Sequence, residues 1–233
     1  MKKLIKFEFY GLLVILCAIQ SCTNVNSPKS EITDTIPEYY TEGDFQSIRK
    51  IDAHMHIQKY SDTVFINQAE KDNFRFLNLN VFKSGGKPIE EQQQFSVEMV
   101  KAFPNRNAWV STFSLDNFNN QGWQEEVISY IKQSVKNGAV GVKVWKNIGF
   151  FLKDEKGQLV MIDHPRFDPI LDYLAKNHIP LIGHLGEHRN SWLPLEKMTV
   201  NGNRDYARAH PEEHMYLHPE RPSYEDYIDA RDR

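Results

Sequence analysis

Cysteine is almost missing from this chain: there are two among 233 residues, Cys17 and Cys22, both near the N-terminus. Nothing after residue 22 can form a disulfide, so any domain there must rest on an apolar core. A dominant charge sign is missing too. Lys and Arg total 28 against 31 Asp and Glu, a formal net charge of −3, and no basic patch stands out. That argues against nucleic acid and against electrostatic attachment to a membrane. No glycine-rich phosphate loop follows the first strand-like segment, which lowers a nucleotide-binding reading. Long hydrophobic runs are also lacking, and the apolar stretch Gly11-Leu-Leu-Val-Ile-Leu-Cys-Ala-Ile19 is too short for a comfortable bilayer span.

What stands at the N-terminus has the layout of an export signal. Lys2, Lys3 and Lys6 precede the apolar stretch, with Glu8 between them and it. Ile19-Gln-Ser-Cys22 resembles the cleavage site of bacterial lipoproteins, which implies removal of residues 1–21 and lipidation of Cys22. Gln20 is bulkier than the usual occupant. The expected location is then outside the cytoplasm, anchored by lipid at a bacterial envelope membrane, with more than one acyl chain for stable attachment. Residues 22–46 are polar, rich in Ser, Thr, Pro and Glu, and read as a tether to a domain over 47–233.

From Arg49 onward, short apolar runs alternate with helical spacing, the pattern of parallel strands and covering helices. Strands are expected near Lys50–His56, Phe76–Phe82, Asn107–Phe113, Ala139–Trp145 and Ile179–His184. Helices are expected near Thr63–Asp72, Glu90–Phe103, Trp123–Asn137 and Asp168–Asn177, and another begins at Tyr224. In the third of these, Val127, Ile128, Ile131 and Val135 form the apolar stripe, and Asn137-Gly138 is a stop. Long irregular connections follow the fourth and fifth strands. The alternation fits a doubly wound sheet or a (β/α)8 barrel, and both carry their sites at strand carboxyl ends.

Four residues sit at such ends: His54, His56, Lys143 and His184. Residues i and i+2 of a strand share a face, so His54 and His56 project together, and Ile51, Ala53 and Met55 are expected opposite them. Two imidazoles aimed at one point are commonly reconciled by a divalent metal. On the loop after the fifth strand, Arg189 is suited to clamp a carboxylate and Trp192 to wall a pocket, with His188 beside them; ordinary loop surface is the competing reading. His210, His214 and His218 lie among prolines and read as loop histidines, not a second metal site. His164 and His178 flank a helix and read as structural.

Three stretches, Ile51-Asp-Ala-His-Met-His56, Gly141-Val-Lys-Val-Trp-Lys146 and Pro180-Leu-Ile-Gly-His-Leu-Gly-Glu-His188, together resemble the amidohydrolase superfamily, in its amidohydrolase-2 or metal-dependent hydrolase branch. The resemblance runs from Arg49 to the C-terminus. It implies an α/β fold, a (β/α)8 barrel of which this chain holds about the first five βα units. It also implies a divalent metal, Zn²⁺ or a similar ion, held by His54, His56 and His184. Lys143 is then a bridging carbamylated lysine, a free amine acting on substrate, or a solvated strand-end lysine.

Such a barrel takes roughly 250 residues, and the resemblance places further active-site residues, a histidine and an aspartate, on later strands absent here. The chain therefore reads as a C-terminally truncated member, or as part of a barrel completed by another chain or segment. The leading function is a metal-dependent hydrolase opening a C–O or C–N bond of a small-molecule lactone, ester or amide. A non-oxidative decarboxylase of the same superfamily is the second reading. The third is a catalytically inactive, lipid-anchored binding protein.

Overall fold

The computed structural model describes residue 41 and residues 43–59, 65–83 and 85–233. The expected signal segment, Cys22 and most of the expected tether lie outside the described residues. The compact unit is Gly43–Arg233. No helix among the described residues is long and apolar enough to cross a membrane.

The unit opens with a single helical turn, α1 (Asp44–Ser47), and then alternates strand and helix. The order is β1 (Lys50–Met55), α2 (Ile66–Lys71), β2 (Phe74–Leu79), α3 (Ile89–Ala102), β3 (Asn107–Ser111), α4 (Trp123–Lys136), β4 (Ala139–Val144), α5 (Asp168–Lys176) and β5 (Leu181–Gly183). Helices α6 (Asn201–Ala209) and α7 (Tyr224–Asp232) follow, separated by short 3₁₀ turns. All four strand pairings are parallel, and the sheet order is β1-β2-β3-β4-β5. That order decides between the two architectures the alternation allowed. A doubly wound sheet reverses direction at a switch point, whereas here each strand is added beside its predecessor, as in a barrel. The five strands curl into a partial (β/α) barrel with helices on the outside.

The outer layer holds the core. Phe76 of β2 packs with Ile57, Ile66 and Ala69 and with Phe95 and Met99 of α3. Val142 and Val144 of β4 pack with Trp123, Val127 and Ile131 of α4 and Ile170 and Leu174 of α5. The helix stripe differs from expectation at one turn of α4. Val135 is exposed and Ser134 is fully buried instead, because Ser134 Oγ meets Ser111 Oγ of β3 at 2.8 Å and Gln93 Oε1 of α3 at 2.6 Å. A hydrogen-bonded serine lets helix and strand approach where valine would not fit. Strand β2 begins two residues earlier than expected, since Asn73 turns the chain in the left-handed region (φ 57°) directly after α2.

The expected phase of β1 also needs correcting. Pairing gives Asp52↔Phe76 and then Met55↔Asn78, with a bulge between. Phe76 and Asn78 both face the helices, since Phe76 lies in the core and Asn78 bonds Ser96 of α3. Asp52 and Met55 therefore share that side although three positions apart. Met55 packs outward as expected, with Ile57 beside it, but Ile51 pairs with Arg75 on the concave face and is 63% exposed. A bulge shifts the two-residue period by one. Asp52 Oδ1 accepts the His54 amide at 3.0 Å, capping a group that the bulge takes out of the regular ladder.

Candidate functional site

His54 and His56 flank the end of β1, on the side away from Met55 and Ile57. Their Nε2 atoms lie 3.2 Å apart, with ring planes at 69°. His56 Nδ1 is 2.8 Å from the Leu79 carbonyl of β2. A carbonyl only accepts, so Nδ1 carries the proton and the neutral His56 ring turns a lone pair toward His54 from Nε2. A proton on His54 Nε2 makes the pair a hydrogen bond; a proton on His54 Nδ1 leaves two lone pairs facing one point.

Lys143 joins the same concave face. Its neighbours Val142 and Val144 point into the outer core, and Lys143 pairs with Ile182 of β5. Thr112 Oγ1 fixes the Lys143 carbonyl at 2.9 Å. The side chain is 2% exposed, not solvated as the simplest sequence reading had it. Among the described residues its amine has no carboxylate or hydrogen-bond partner. Burial pushes the Lys143 ammonium below the usual lysine range.

His184 extends β5: its amide donates to the Val144 carbonyl at 3.1 Å, and its ring meets Trp145 edge-on at 6.4 Å. Burial lowers the His184 pKa; the positive charges of Lys146 and Lys143 and the His54 ring add to this, while Glu187 opposes. His54 is lowered by burial, then by Lys143 and His56, against Asp52. Lys143 thus acts on both His54 and His184, His54 acts on His184 and His56 on His54, and the two perturbed imidazoles favour the neutral, ligand-competent form. Among the described residues, however, no three His, Cys, Asp or Glu side chains converge tightly enough to hold a metal ion. The convergent element is the His54–His56 pair, and His184 stands on the same face without closing on it.

The pair fits a metal. Two nitrogens bound to one tetrahedral Zn²⁺ at about 2.05 Å lie about 3.3 Å apart, close to the 3.2 Å between the two Nε2 atoms. The Nδ1 bond to Leu79 is the usual outer partner of a ligating histidine.

The loop residues behave differently. Arg189 is 76% exposed in its side chain and reaches Glu225 at 3.5 Å. Trp192 packs against Tyr224 and Tyr227 of α7 and donates Nε1 to the Pro222 carbonyl. His188 Nδ1 lies 3.6 Å from Glu187. None of their described contacts reaches His54 or His56. His214 is buried with Nε2 on the Leu193 carbonyl, and His210 and His218 pair with Glu212 and Glu220, each two residues on. His164 Nδ1 accepts the Arg166 amide, and His178 adopts φ 54° beyond α5.

No family model matches the chain, and no curated protein matches it. Among solved structures it is similar to 2,6-dihydroxybenzoate decarboxylase from Rhizobium, at 15% identity over 70% of this chain and 54% of that one, with a TM-score of 0.44. The chain spans about half the length of that structure.

One charged assembly beside the site went unrecognised in the sequence. Lys146, two residues past β4, places Nζ 2.6 Å from Glu187 Oε1 and 2.6 Å from Glu213 Oε2. Tyr206 donates its hydroxyl to Glu213. The three charged side chains are 4%, 9% and 12% exposed. Burial opposes the charge on Lys146, but the two carboxylates outweigh it and hold its pKa above the usual lysine range. Lys146 and Glu187 lie in the same short stretches as Lys143 and His184. Glu213 sits 67 positions from Lys146, beyond any local pattern.

Proposed function

We propose that this chain carries part of the active site of a metal-dependent enzyme of amidohydrolase type, acting on a small molecule. The observation that carries the reading is the approach of the His54 and His56 Nε2 atoms, with His56 Nδ1 anchored on a carbonyl. His54 and His56 would hold the ion, and His184 is the proposed third ligand. A divalent ion there, Zn²⁺ or similar, supplies Lewis-acid polarisation of a substrate oxygen or of water.

The chain's own residues set the rest. Lys143 stands on the same face and, among the described residues, its amine has no counter-charge, which suits a developing negative charge on the substrate. The neutral state of His54, favoured by burial and by Lys143, keeps its ring available as a ligand. The Lys146–Glu187–Glu213 assembly ties the segments after β4 and β5 together beside the mouth. Opening of a lactone, ester or amide is the proposed reaction. Loss of CO₂ from an acid would use the same groups, and product analysis for CO₂ separates the two.

Metal analysis of the purified full-length protein, beside a His54→Ala variant, tests the reading. At least one equivalent of divalent metal in the wild type, lost in the variant, is expected. A wild type that holds no metal beyond what the variant holds defeats the proposal.

Two further parts of the reading concern what surrounds the site. Ile51 and Val140 are 63% and 50% exposed, and among the described residues the outer strands β1 and β5 of the sheet each have an unpaired edge. We propose that further strands, from another segment or chain, cover these residues and supply the remaining site groups. We also propose export with lipid on Cys22, which lies outside the described residues. Incorporation of labelled fatty acid, abolished by Cys22→Ser, is the check.

A further inference from the structure

Strand β1 ends at Met55, yet the chain beyond it is held as firmly as a strand. The Ile57 amide donates to Asn78 Oδ1 at 2.7 Å, and Asn78 Nδ2 donates to the Ile57 carbonyl at 3.0 Å. The side-chain amide of one residue thus occupies both backbone groups of another, as a neighbouring strand would. Asn78 is 3% exposed and is anchored from behind. Its Nδ2 also donates to Ser96 Oγ of α3 at 3.1 Å, and Ser96 donates on to Asn80 Oδ1 at 3.0 Å. The orientation of the amide is settled by its partners, because only the oxygen can accept the Ile57 N–H. One residue before Ile57 stands His56, and one residue after Asn78 stands Leu79, whose carbonyl takes His56 Nδ1 at 2.8 Å. The two links clamp His56 from its peptide and from its ring onto adjacent residues of β2.

We propose that Asn78 is a positioning residue for His56. Its amide fixes the Ile57 peptide so that the His56 ring stays with Nδ1–H on the Leu79 carbonyl and Nε2 turned toward His54. What the histidine pair then binds rests on the metal reading above; the positioning does not. Nothing in the amino-acid type announces the role, since a buried asparagine in a strand reads as a liability unless its amide is fully used. Here all but one of its hydrogen-bonding positions are engaged.

The test uses the full-length protein, metal-free and labelled with ¹⁵N in histidine, at about pH 8, where imidazoles are neutral. Long-range ¹H–¹⁵N spectra report which ring nitrogen carries the proton. In the wild type, His56 holds a single Nδ1–H form. In Asn78→Ala and Asn78→Asp it becomes a mixture, and Co²⁺ affinity falls by about 10–100-fold, the usual effect of disturbing an outer partner of a ligand. Asn78→Asp keeps the acceptor for the Ile57 amide and loses the donor, so it carries the test if the alanine variant does not fold. Ser134→Ala removes a buried hydrogen bond elsewhere in the sheet and leaves His56 unchanged. The proposal is overturned if His56 keeps its tautomer in a folded Asn78 variant, or if Ser134→Ala disturbs it equally. A wild type that binds no Co²⁺ while Asn78 still controls the tautomer sinks the metal reading and supports the positioning role.

Discussion

Replacing Lys146 by methionine should cost far more than a surface ion pair would. The change removes one ammonium and leaves Glu187 and Glu213 facing each other, at 9% and 12% side-chain exposure, with only Tyr206 still donating to Glu213. Breaking a buried pair by deleting one partner typically costs about 3–5 kcal/mol, because the orphaned charge stays out of water. An exposed pair costs about 0–1 kcal/mol. In a domain of 150–250 residues each kcal/mol moves Tm by about 2–4 °C, so Lys146→Met should melt roughly 6–20 °C below wild type at neutral pH. The pH dependence sharpens the test. Burial alone would raise the Glu213 carboxyl, but hydrogen bonds from Lys146 and Tyr206 and the Lys146 charge hold it below the usual carboxylate range. A carboxyl depressed in the fold stabilises above its unfolded pKa, and the benefit disappears as pH falls through the folded value. The wild type therefore loses this contribution on acidification. In Lys146→Met the ammonium is gone and two carboxylates crowd each other, so the variant gains when one of them takes up a proton. The stability gap should narrow between neutral pH and about pH 4, near the ordinary glutamate value. Urea unfolding followed by circular dichroism at several pH values measures it. A gap under about 1 kcal/mol at neutral pH, or one that widens in acid, would show that water already solvates these groups and that the assembly locks nothing.

Gly149→Ala tests backbone and packing together. Gly149 has φ 90°, and a Cβ there would stand 2.6 Å from Tyr227 Cε1 and 3.1 Å from Met161 Sδ, beside the Tyr227 hydroxyl bond to the Gly149 carbonyl. Positive φ and overpacking each cost about 1–3 kcal/mol, so a thermal melt should drop by several degrees; an unchanged melt would mean that α7 is not docked on this turn. Lys143→Met should act in the opposite direction and raise stability modestly, because burial disfavours the charged amine and, among the described residues, no carboxylate offsets that. Activity should vanish at the same time, and a variant that is active, or less stable than wild type, contradicts the role given to the amine.

The parts that were legible in the sequence are those set by local period. The five strands and the helices between them follow from apolar runs and 3.6-residue spacing, and His54 and His56 follow from a two-residue spacing at a strand end. The alternation alone left barrel and doubly wound sheet both open; the resemblance of three stretches implied the barrel, and the strand order bears it out. Polar residues with specific partners account for the other differences. Val135 satisfies the helical stripe better than Ser134, yet Ser134 is buried because Ser111 and Gln93 are placed to bond it. The bulge in β1 turns on Asp52, a residue whose side chain reaches a backbone amide two positions on. Lys146 finds its carboxylates 41 and 67 residues away, distances at which sequence carries charge but not pairing.

Why the site gathers where it does follows from how the ladder stops. At the carboxyl end of a parallel strand, backbone groups lose their neighbours and must find other partners. In this chain side chains take them. Asp52 caps the His54 amide, Asn78 takes both groups of Ile57, His56 takes the Leu79 carbonyl, Gln92 takes both groups of Val81, and Thr112 takes the Lys143 carbonyl. Each of these bonds also limits where a neighbouring side chain can point. Satisfying the strand ends and aiming His54, His56 and Lys143 at one face are therefore the same structural act. Substitutions among these caps should disturb stability and the geometry of the histidine pair together. Substitutions of equal cost among Trp123, Ile131 and Ile170 in the outer core should lower stability while the histidine pair keeps its geometry.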